Sequence, residues 1–439
     1  MKNKNDFIQS LREKGSMKDV LVCVLFVAVL GGLTLVSLFK PSKAFSETEN
    51  RYLQTKPALT ADAFLSGAYG REYEEYLADQ FVARDGWIGL KAVIELARGM
   101  REMNGVYFGK DGYLIEKDAA DIYESAQAEK NLGFLKAFAD KYGSGTDISR
   151  DAALDIKIMF VPTASAILKD RLPKYAPVYD QEKWLAAAAQ KLGSDVTVPL
   201  YDAMAAYNAD NYGGEPLYYH TDHHWTTRGA YTGYRAWASS AGLDAWPLSA
   251  FTVETVSDDF YGTLNSKVNI KTTADSIQKY TFFHDESTVA FEIIYNEGDH
   301  RSDSLYYPSA LSGKDKYAFF LGGNFGLVDI KTRWVDGNAA AQDGVSPGGQ
   351  ATEQVDSHQR ESSMGAAKPG RRLMLIKDSY ANCFAGFAAL HYDEVLMVDL
   401  RHTNARISEL VEKYGITDVL VLYSTKNFAE DKNIYKLLY

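Results

Sequence analysis

Residues 20–39 form an uncharged apolar run rich in Val and Leu. A helix rises about 1.5 Å per residue, so this run is long enough to cross a hydrocarbon core of roughly 30 Å. Basic side chains outnumber acidic ones in residues 1–19, and basic residues tend to stay cytoplasmic. The pattern predicts a cytoplasmic N-terminus over 1–19, a single-pass transmembrane anchor over 20–39 and an exterior C-terminal part. A cleaved signal peptide is the alternative, because small residues occur in Ser42-Lys43-Ala44, although the apolar run exceeds the usual core of about 7–15 residues.

Residues 40–55 form a polar linker, and 56–439 are predicted to be one extracytoplasmic domain. Within it, short apolar runs predict strands and amphipathic spacing predicts helices, and an Asp-Gly pair between apolar runs predicts a hairpin over 107–115. The predicted strands are 156–161, 196–201, 317–321, 373–376, 394–398 and 418–423, and the predicted helices are 57–81, 87–103, 125–142, 181–192, 227–241, 378–390 and 404–414. This alternation favours a layered α/β domain with a mostly parallel sheet.

Composition and charge narrow the class of protein. The chain is 46% hydrophobic and 24% charged, as in folded globular proteins. Residues 336–371 differ, because they are rich in Gly, Ala, Ser and Gln, and they predict a flexible surface insertion.

Cys23 lies in the apolar run, so no intramolecular disulfide with Cys383 is expected. Of the net charge of −11, residues 1–40 contribute +3 and the remainder −14. An acidic exterior domain argues against nucleic acid as a partner.

The densest candidate chemistry lies in residues 220–226, His-Thr-Asp-His-His-Trp-Thr, in a chain with eight His in total. Asp222 stands two positions before His224, and a carboxylate so placed can orient an imidazole as a general base. A nucleophile for that base is available much later, at Ser379. Ser379 follows an apolar strand and begins a predicted helix, where backbone N–H groups can stabilise an oxyanion.

Structural alternatives remain for each of these residues. Asp378 or Ser379 would serve equally well as a helix cap, and the histidine run could be a hydrogen-bonded structural cluster. Zinc is a third possibility, because His220, Asp222, His223 and His224 all have ligand chemistry, although no distant cluster completes such a site. Gly322-Gly323-Asn324 is typical of a turn, but it could also bring backbone and an amide donor close to a reacting centre.

Together these stretches resemble the DHHW family of bacterial membrane-anchored proteins. The resemblance rests on residues 220–226 and on three further stretches, which are Ser46-Glu47-Thr48-Glu49-Asn50-Arg51, Phe319-Phe320-Leu321-Gly322-Gly323-Asn324 and Ile376-Lys377-Asp378-Ser379-Tyr380-Ala381-Asn382. The DHHW proteins are similar to the alginate O-acetylation proteins of AlgX and AlgJ type, which carry an SGNH-hydrolase-like domain. This similarity implies a three-layer α/β domain.

The resemblance also implies roles for particular residues. Asp222, His224 and Ser379 take the triad positions, and the Ser379 backbone with the Gly323–Asn324 loop takes the oxyanion hole. Tyr380 falls in the same oxyanion or substrate region. His223 has no role in the implied pattern, and no cofactor or metal is implied.

The leading expectation is a membrane-anchored O-acetyltransferase that acts outside the cell through an acyl-enzyme. The acceptor would be a cell-surface or secreted polysaccharide, and the resemblance implies a multi-pass MBOAT acyltransferase as the donor partner. Two alternatives remain open, a carbohydrate O-acetyl esterase and a non-catalytic glycan-binding or scaffold protein.

Overall fold

The computed structural model describes residues 17–46, 51–143, 153–211, 213–283, 287–336 and 370–439. These residues fall into two compact units, Met1–Arg98 and Gly99–Tyr439. The predicted insertion over 336–371 lies almost entirely outside the described residues, and so does the cytoplasmic segment over 1–19 apart from its last three residues.

The first unit contains the apolar helix and three shorter helices. The apolar helix spans Met17–Phe39, and Asp19–Ser37 is the one stretch of the described residues that is long and apolar enough to cross a membrane. A signal sequence passes the same test, so the anchor remains a prediction. Short strands Phe45–Ser46 and Arg51–Tyr52 pair antiparallel. Helices follow at Ala61–Leu65, Ala68–Asp79 and Arg84–Ala97. The helix predicted over 57–81 is therefore divided, and Gly67 adopts a positive φ of 71° at the break.

A seven-stranded sheet forms the centre of the second unit. Its strands, numbered in chain order, are β1 (Asp155–Val161), β2 (Ser287–Tyr295), β3 (His300–Ser302), β4 (Leu327–Asp336), β5 (Arg372–Lys377), β6 (Glu394–Val398) and β7 (Asp418–Ser424). The order across the sheet is β3-β2-β4-β6-β5-β7-β1. The strands predicted over 156–161, 373–376, 394–398 and 418–423 are confirmed as β1, β5, β6 and β7.

The prediction of a mostly parallel sheet is wrong, because the sheet is mixed. Strands β6, β5, β7 and β1 pair in parallel, whereas β3, β2, β4 and β6 pair antiparallel. The tight turn between β2 and β3, with positive φ at Asn296, Glu297 and Gly298, forces that pair to run antiparallel. No strand was predicted over 287–302, so the antiparallel half was not foreseen.

Helices cover both faces of the sheet, which confirms the predicted three-layer α/β architecture. Leu373 and Leu375 of β5 contribute to one hydrophobic core, and Met374 and Ile376 contribute to the other. Successive side chains of a strand point to opposite faces, so each face needs its own cover. Helices Leu200–Asp210, Thr227–Ser240 and Ala385–Ala389 bury residues in the first core, and Ala126–Gly143, Gln181–Leu192, Ile407–Lys413 and Thr425–Glu430 bury residues in the second.

The remaining elements of the second unit are further strands, short α-helices and 3₁₀ segments outside the seven-stranded sheet. The predicted hairpin over 107–115 is confirmed by Val106–Phe108 and Leu114–Glu116, which pair antiparallel. Strand Glu102–Met103 adds to that hairpin, and Phe251–Phe260 pairs with Asp275–Phe282. The short α-helices are Ala120–Tyr123, Ala164–Ile167 and Thr263–Val268. The 3₁₀ segments are Lys110–Gly112, Lys169–Arg171, Leu248–Ala250, Pro308–Ser312, Lys316–Phe319, Ser379–Asn382 and Ile434–Leu438.

Two predicted strands are wrong. Over 196–201, Thr197 forms a single bridge to Ile158, and a helix begins at Leu200 directly after Pro199. Proline supplies no N–H group for a ladder and suits a helix start. Over 317–321, Lys316–Phe319 is a 3₁₀ turn, and Phe320 forms a single antiparallel bridge to Tyr306. The Tyr317 hydroxyl is bonded to the Ser379 carbonyl at 3.2 Å.

Candidate active site

Asp222 lies in a bend that its own side chain stabilises. Its Oδ1 accepts a hydrogen bond from the backbone N–H of His224 at 3.0 Å, which is an Asx-turn. The same oxygen lies 2.6 Å from His224 Nδ1. The chain therefore bends between Asp222 and His224, and the carboxylate reaches the imidazole because the backbone folds back over two residues.

Ser379 completes a continuous line of hydrogen bonds. His224 Nε2 lies 2.7 Å from Ser379 Oγ, across a sequence separation of 155 residues. An ionised carboxylate only accepts hydrogen bonds, so His224 donates its Nδ1–H to Asp222, which leaves Nε2 free to accept from the Ser379 hydroxyl. The three side chains are almost fully enclosed, with exposed fractions of 2% for Asp222, 6% for His224 and 9% for Ser379.

The electrostatic surroundings keep Asp222 ionised. Burial alone would raise the pKa of this carboxyl, but the charges of His223 and His224 and the hydrogen bonds from His224 and the Thr263 backbone hold it well below its usual range. The second oxygen, Oδ2, accepts from the Thr263 N–H at 2.7 Å and from the Thr263 hydroxyl at 2.9 Å. Asp222 is thus a fully satisfied buried carboxylate, as an orienting group must be.

A second buried carboxylate holds the preceding residues in place. Asp275 Oδ1 accepts from the backbone N–H of His220 at 2.6 Å, and Oδ2 accepts from the backbone N–H of Thr221 at 2.8 Å. His220 also stacks on the Tyr113 ring, with centroids 3.9 Å apart. His220 is therefore a structural member of the loop, and its side chain is 20% exposed beside Asp275 rather than directed to Ser379.

The turn that carries Ser379 is fixed from three sides. Asp378 caps it by accepting from the Tyr380 N–H at 2.9 Å, so the capping role considered for this pair belongs to Asp378. Trp225 donates its indole N–H to the Tyr380 carbonyl at 2.9 Å. The Tyr317 ring stacks on the His224 imidazole at 3.8 Å with an interplanar angle of 8°, while its hydroxyl bonds the Ser379 carbonyl. Tyr317 therefore contacts both the His224 ring and the backbone of Ser379.

The Gly323–Asn324 loop lies against this turn. Asn382 Nδ2 donates to the Gly323 carbonyl at 3.3 Å and to Asn324 Oδ1 at 3.1 Å. Lys377 Nζ donates to Asn324 Oδ1 at 3.2 Å. Gly323 has a φ of 118°, and the space where a Cβ would stand is open. The structure thus brings the predicted oxyanion loop to the residues that flank Ser379 on both sides.

Tyr380 occupies an inner position. Its side chain is 2% exposed, and its hydroxyl donates to the His223 carbonyl. Its ring centroid lies 5.0 Å from that of His224. In this arrangement the Tyr380 side chain ties the nucleophile turn to the histidine bend.

The ligand chemistry considered for zinc is present at the same place. Asp222, His223 and His224 each offer one ligand atom, and these atoms lie within 4.8 Å of one another. Thr263 Oγ1 donates to Asp222, so it accepts from His223 Nδ1–H at 2.7 Å. Burial and the neighbouring His224 lower the pKa of His223 to about 4. A metal ion would therefore compete with hydrogen bonds that already satisfy these groups.

No role in the site was predicted for six residues that build it: Gly262, Thr263, Asp275, Tyr317, Lys377 and Asn382. Of these, Lys377 and Asn382 lie within the 376–382 stretch that carries the family resemblance. Thr263 and Asp275 hold the histidine bend from strands and turns more than 40 positions away, so nothing in the local pattern singles them out. Gly262 precedes Thr263 directly, and a Cβ there would lie 2.3 Å from Asp222 Oδ2. The local signal in the sequence is a Gly-Thr pair at the start of the short helix Thr263–Val268.

The three-layer α/β unit brings the Ser379, His224 and Asp222 side chains into one line at the carboxyl end of β5, and this arrangement is similar to that of SGNH-hydrolase-like domains. Residues 106–308 match the family model of the SGNH hydrolase-like domain of the acetyltransferase AlgX. The matched region contains Asp222 and His224 and ends before Ser379. No curated protein matches the chain by sequence.

Solved structures show the same fold. A DHHW family protein from Eubacterium siraeum is 22% identical, covers 77% of this chain and 96% of its own, and superposes with a TM-score of 0.55. PatB1 from Bacillus cereus, in a structure with a sulfonyl adduct, is 18% identical, covers 75% of this chain and 97% of its own, and has a TM-score of 0.52. A second structure of the same PatB1 has a TM-score of 0.53 at 17% identity and covers 74% of this chain and 97% of its own. The resemblance to DHHW and AlgX-like proteins is thus confirmed.

Proposed function

We propose that the chain is a membrane-anchored O-acetyltransferase that modifies a polysaccharide outside the cell through an acetyl-enzyme on Ser379. The observation that carries the proposal is the line of hydrogen bonds from Asp222 through His224 to Ser379, at 2.6 and 2.7 Å. The match of residues 106–308 to an acetyltransferase family model supports the same reaction class.

In the first half-reaction, Ser379 Oγ attacks the carbonyl carbon of an acetyl ester. His224 Nε2 takes the serine proton, and Asp222 stabilises the imidazolium that forms. The negative charge on the carbonyl oxygen is met by the Ser379 N–H and the Asn324 amide; none of the hydrogen bonds in the described part of the chain uses that Ser379 N–H. The ester C–O bond then breaks, and the leaving alcohol receives the proton from His224.

In the second half-reaction, a sugar hydroxyl replaces the leaving alcohol. His224 takes its proton, the sugar oxygen attacks the acetyl-enzyme, and Ser379 recovers the proton as its own C–O bond breaks. The apolar helix Met17–Phe39 would keep the domain at the exterior face of the membrane that the helix crosses. An MBOAT acyltransferase in the same membrane would supply the acetyl group, because acetyl-CoA is absent outside the cell.

The Ser379→Ala variant provides the direct test. We expect turnover of an aryl acetate to fall by about 10⁴-fold or more, since removing a triad nucleophile abolishes the covalent route. Mass spectrometry of the wild-type protein after a short pulse should show one added acetyl group on Ser379. Ser312→Ala, at an exposed surface turn, is the matched control and should retain turnover. Full activity in Ser379→Ala would overturn the nucleophile assignment.

The same assay separates the alternatives. Acetylated sugar in the presence of an oligosaccharide acceptor supports transfer, whereas free acetate alone indicates an esterase. A folded protein that binds glycan but whose Ser379 fails to react with a fluorophosphonate indicates a non-catalytic role. Loss of turnover on dialysis against a chelator, restored by zinc, would indicate a metal site at Asp222, His223 and His224 instead.

A further inference from the structure

A buried cation lies directly behind the candidate oxyanion loop. Lys377 is the last residue of β5, two positions before Ser379, and its side chain is 1% exposed. Its Nζ lies 2.9 Å from Asn382 Oδ1, 3.2 Å from Asn324 Oδ1 and 3.5 Å from Asp399 Oδ2. The cation thus joins β5, the Ser379 turn and the Gly323–Asn324 loop at one point.

The ammonium decides which way both amides face. It has three N–H donors and no acceptor, so Asn382 and Asn324 must turn their oxygens toward it. Asn382 Nδ2 then donates to the same Asn324 Oδ1 at 3.1 Å. An amide oxygen has two acceptor positions, and both are now occupied. The Asn324 NH₂ group is therefore turned away from the cluster, on a residue that is solvent-exposed.

A purely structural role does not account for the burial of the charged Lys377 side chain. An isolated buried cation is costly, and hydrophobic side chains of similar volume often serve a core at least as well. Asp399 is fully buried beside Lys377, but Arg401 occupies its two oxygens at 2.9 and 2.6 Å. Burial, only partly offset by Asp399, lowers the pKa of Lys377 to about 8. We therefore explain the buried Lys377 ammonium by its effect on the two amide side chains that it orients.

We propose that Lys377 is a positioning residue that fixes the Asn324 carboxamide so that its N–H group meets the oxyanion formed at Ser379. The inference rests on the proposed function and adds a residue to it. Lys377 touches neither the reacting atoms nor the imidazole. It acts through Asn324, with Asn382 as the second support of the same amide.

A double-mutant cycle tests this action of one residue through another. Asn324→Ala should slow the acylation burst with p-nitrophenyl acetate by about 10²-fold, as for one oxyanion donor. Lys377→Met should slow it by roughly tenfold to a hundredfold, with KM unchanged in both variants. The double variant should be no more than about threefold slower than Asn324→Ala, because the donor is already absent. Multiplied losses would overturn the inference.

Three further variants keep the result interpretable. Arg401→Met removes the other cation on Asp399 and does not touch Asn324, so it should lower stability and leave the burst rate unchanged. Asn324→Asp keeps an acceptor for Lys377 but has no N–H group, so it should be as slow as Asn324→Ala. If Lys377→Met fails to fold, Lys377→Gln takes its place in the cycle. An active Ser379→Ala variant would defeat the proposed function, whereas an inactive one with multiplied losses in the cycle would defeat this inference alone.

Discussion

Gly262 leaves no room for a side chain beside the candidate triad. A Cβ at this position would meet both Asp222 Oδ2 and Asp222 Cβ at 2.3 Å. We expect Gly262→Ala to displace the carboxylate and to destabilise the fold by about 1–3 kcal/mol, as overpacking does. Aryl acetate turnover should fall by at least about tenfold, because an imidazole without its orienting partner is a poor base. Stopped-flow kinetics and urea denaturation measure the two effects.

Gly133→Ala is the matched control for that substitution. Gly133 lies inside helix Ala126–Gly143, and a Cβ there meets nothing within 4 Å. Alanine should stabilise this helix by up to about 1 kcal/mol and leave turnover unchanged. Normal kinetics in Gly262→Ala would show that the Asp222 position tolerates displacement.

His223 should make the protein sensitive to mild acid. Its pKa is about 4 in the folded protein, because burial and the neighbouring His224 disfavour the charge, and 6.5 in the reference state. Between these values the unfolded chain binds more protons, so the free energy of unfolding falls as pH drops from 6.5 toward 4. The slope from this residue is at most about 1.4 kcal/mol per pH unit. His223→Gln should flatten it in urea denaturation series.

His391 also contributes to the pH dependence of the free energy of unfolding. Burial, with a smaller contribution from the Arg371 charge, also lowers its pKa to about 4, so part of the acid slope should survive in His223→Gln. Stability measured at pH 8 isolates any packing loss, because both histidines are almost entirely neutral there in the folded and the unfolded chain. An unchanged slope between pH 6.5 and 5 would show that His223 is protonated to the same extent in both states.

At the scale of elements, strand Asp275–Phe282 anchors the histidine bend through its first residue. Asp275 is 3% exposed and accepts the backbone N–H groups of His220 and Thr221. Asp275→Ala removes the acceptor of the His220 and Thr221 backbone N–H groups and of the Thr221 hydroxyl, and each buried donor left unsatisfied costs about 1–3 kcal/mol. We expect a large loss in the free energy of unfolding and reduced turnover, since the bend also carries Asp222. Urea denaturation and aryl acetate kinetics measure both.

Two variants bracket that prediction. Asp275→Asn keeps one acceptor oxygen of the same shape and should lose less stability than Asp275→Ala. Asp303 is exposed on the surface, so Asp303→Ala should change stability by less than about 0.5 kcal/mol. A small effect of Asp275→Ala would mean that the bend holds its shape through Thr263 and the Tyr113 stacking alone.

The sequence predicted the elements that have a clear local pattern and missed those whose conformation is decided by tertiary contacts. Strands β1, β5, β6 and β7 are buried on both faces, so continuous apolar runs revealed them. Residues 317–321 look equally apolar, yet Tyr317 turns toward His224 and Ser379, and the run becomes a 3₁₀ turn. The residues that meet at Ser379 were recognisable as motifs, whereas Asp275 and Lys377 have a role only once distant strands are adjacent.

Over the whole molecule, the candidate chemistry and the packed core lie in the same unit. Both hydrophobic cores are built from residues of Gly99–Tyr439, as are the histidine bend, the Ser379 turn and the Gly323–Asn324 loop. The three shorter helices of the first unit bury a single residue in their spans, Ala92. The apolar helix and the candidate chemistry therefore lie in different units of the chain.

This division predicts how a truncated protein behaves. Residues 99–439 expressed alone should fold, because a compact unit with its own core is stable by itself. Turnover of an aryl acetate should stay within roughly twofold of the full chain, since every group of the candidate site is retained. If the proposed function holds, acetylation of polysaccharide in cells should be lost even when the truncated protein is exported, because it no longer stays beside the proposed membrane-bound donor. An unfolded or inactive product would show that residues 1–98 complete the catalytic unit, and unimpaired acetylation in cells would show that the anchor is dispensable.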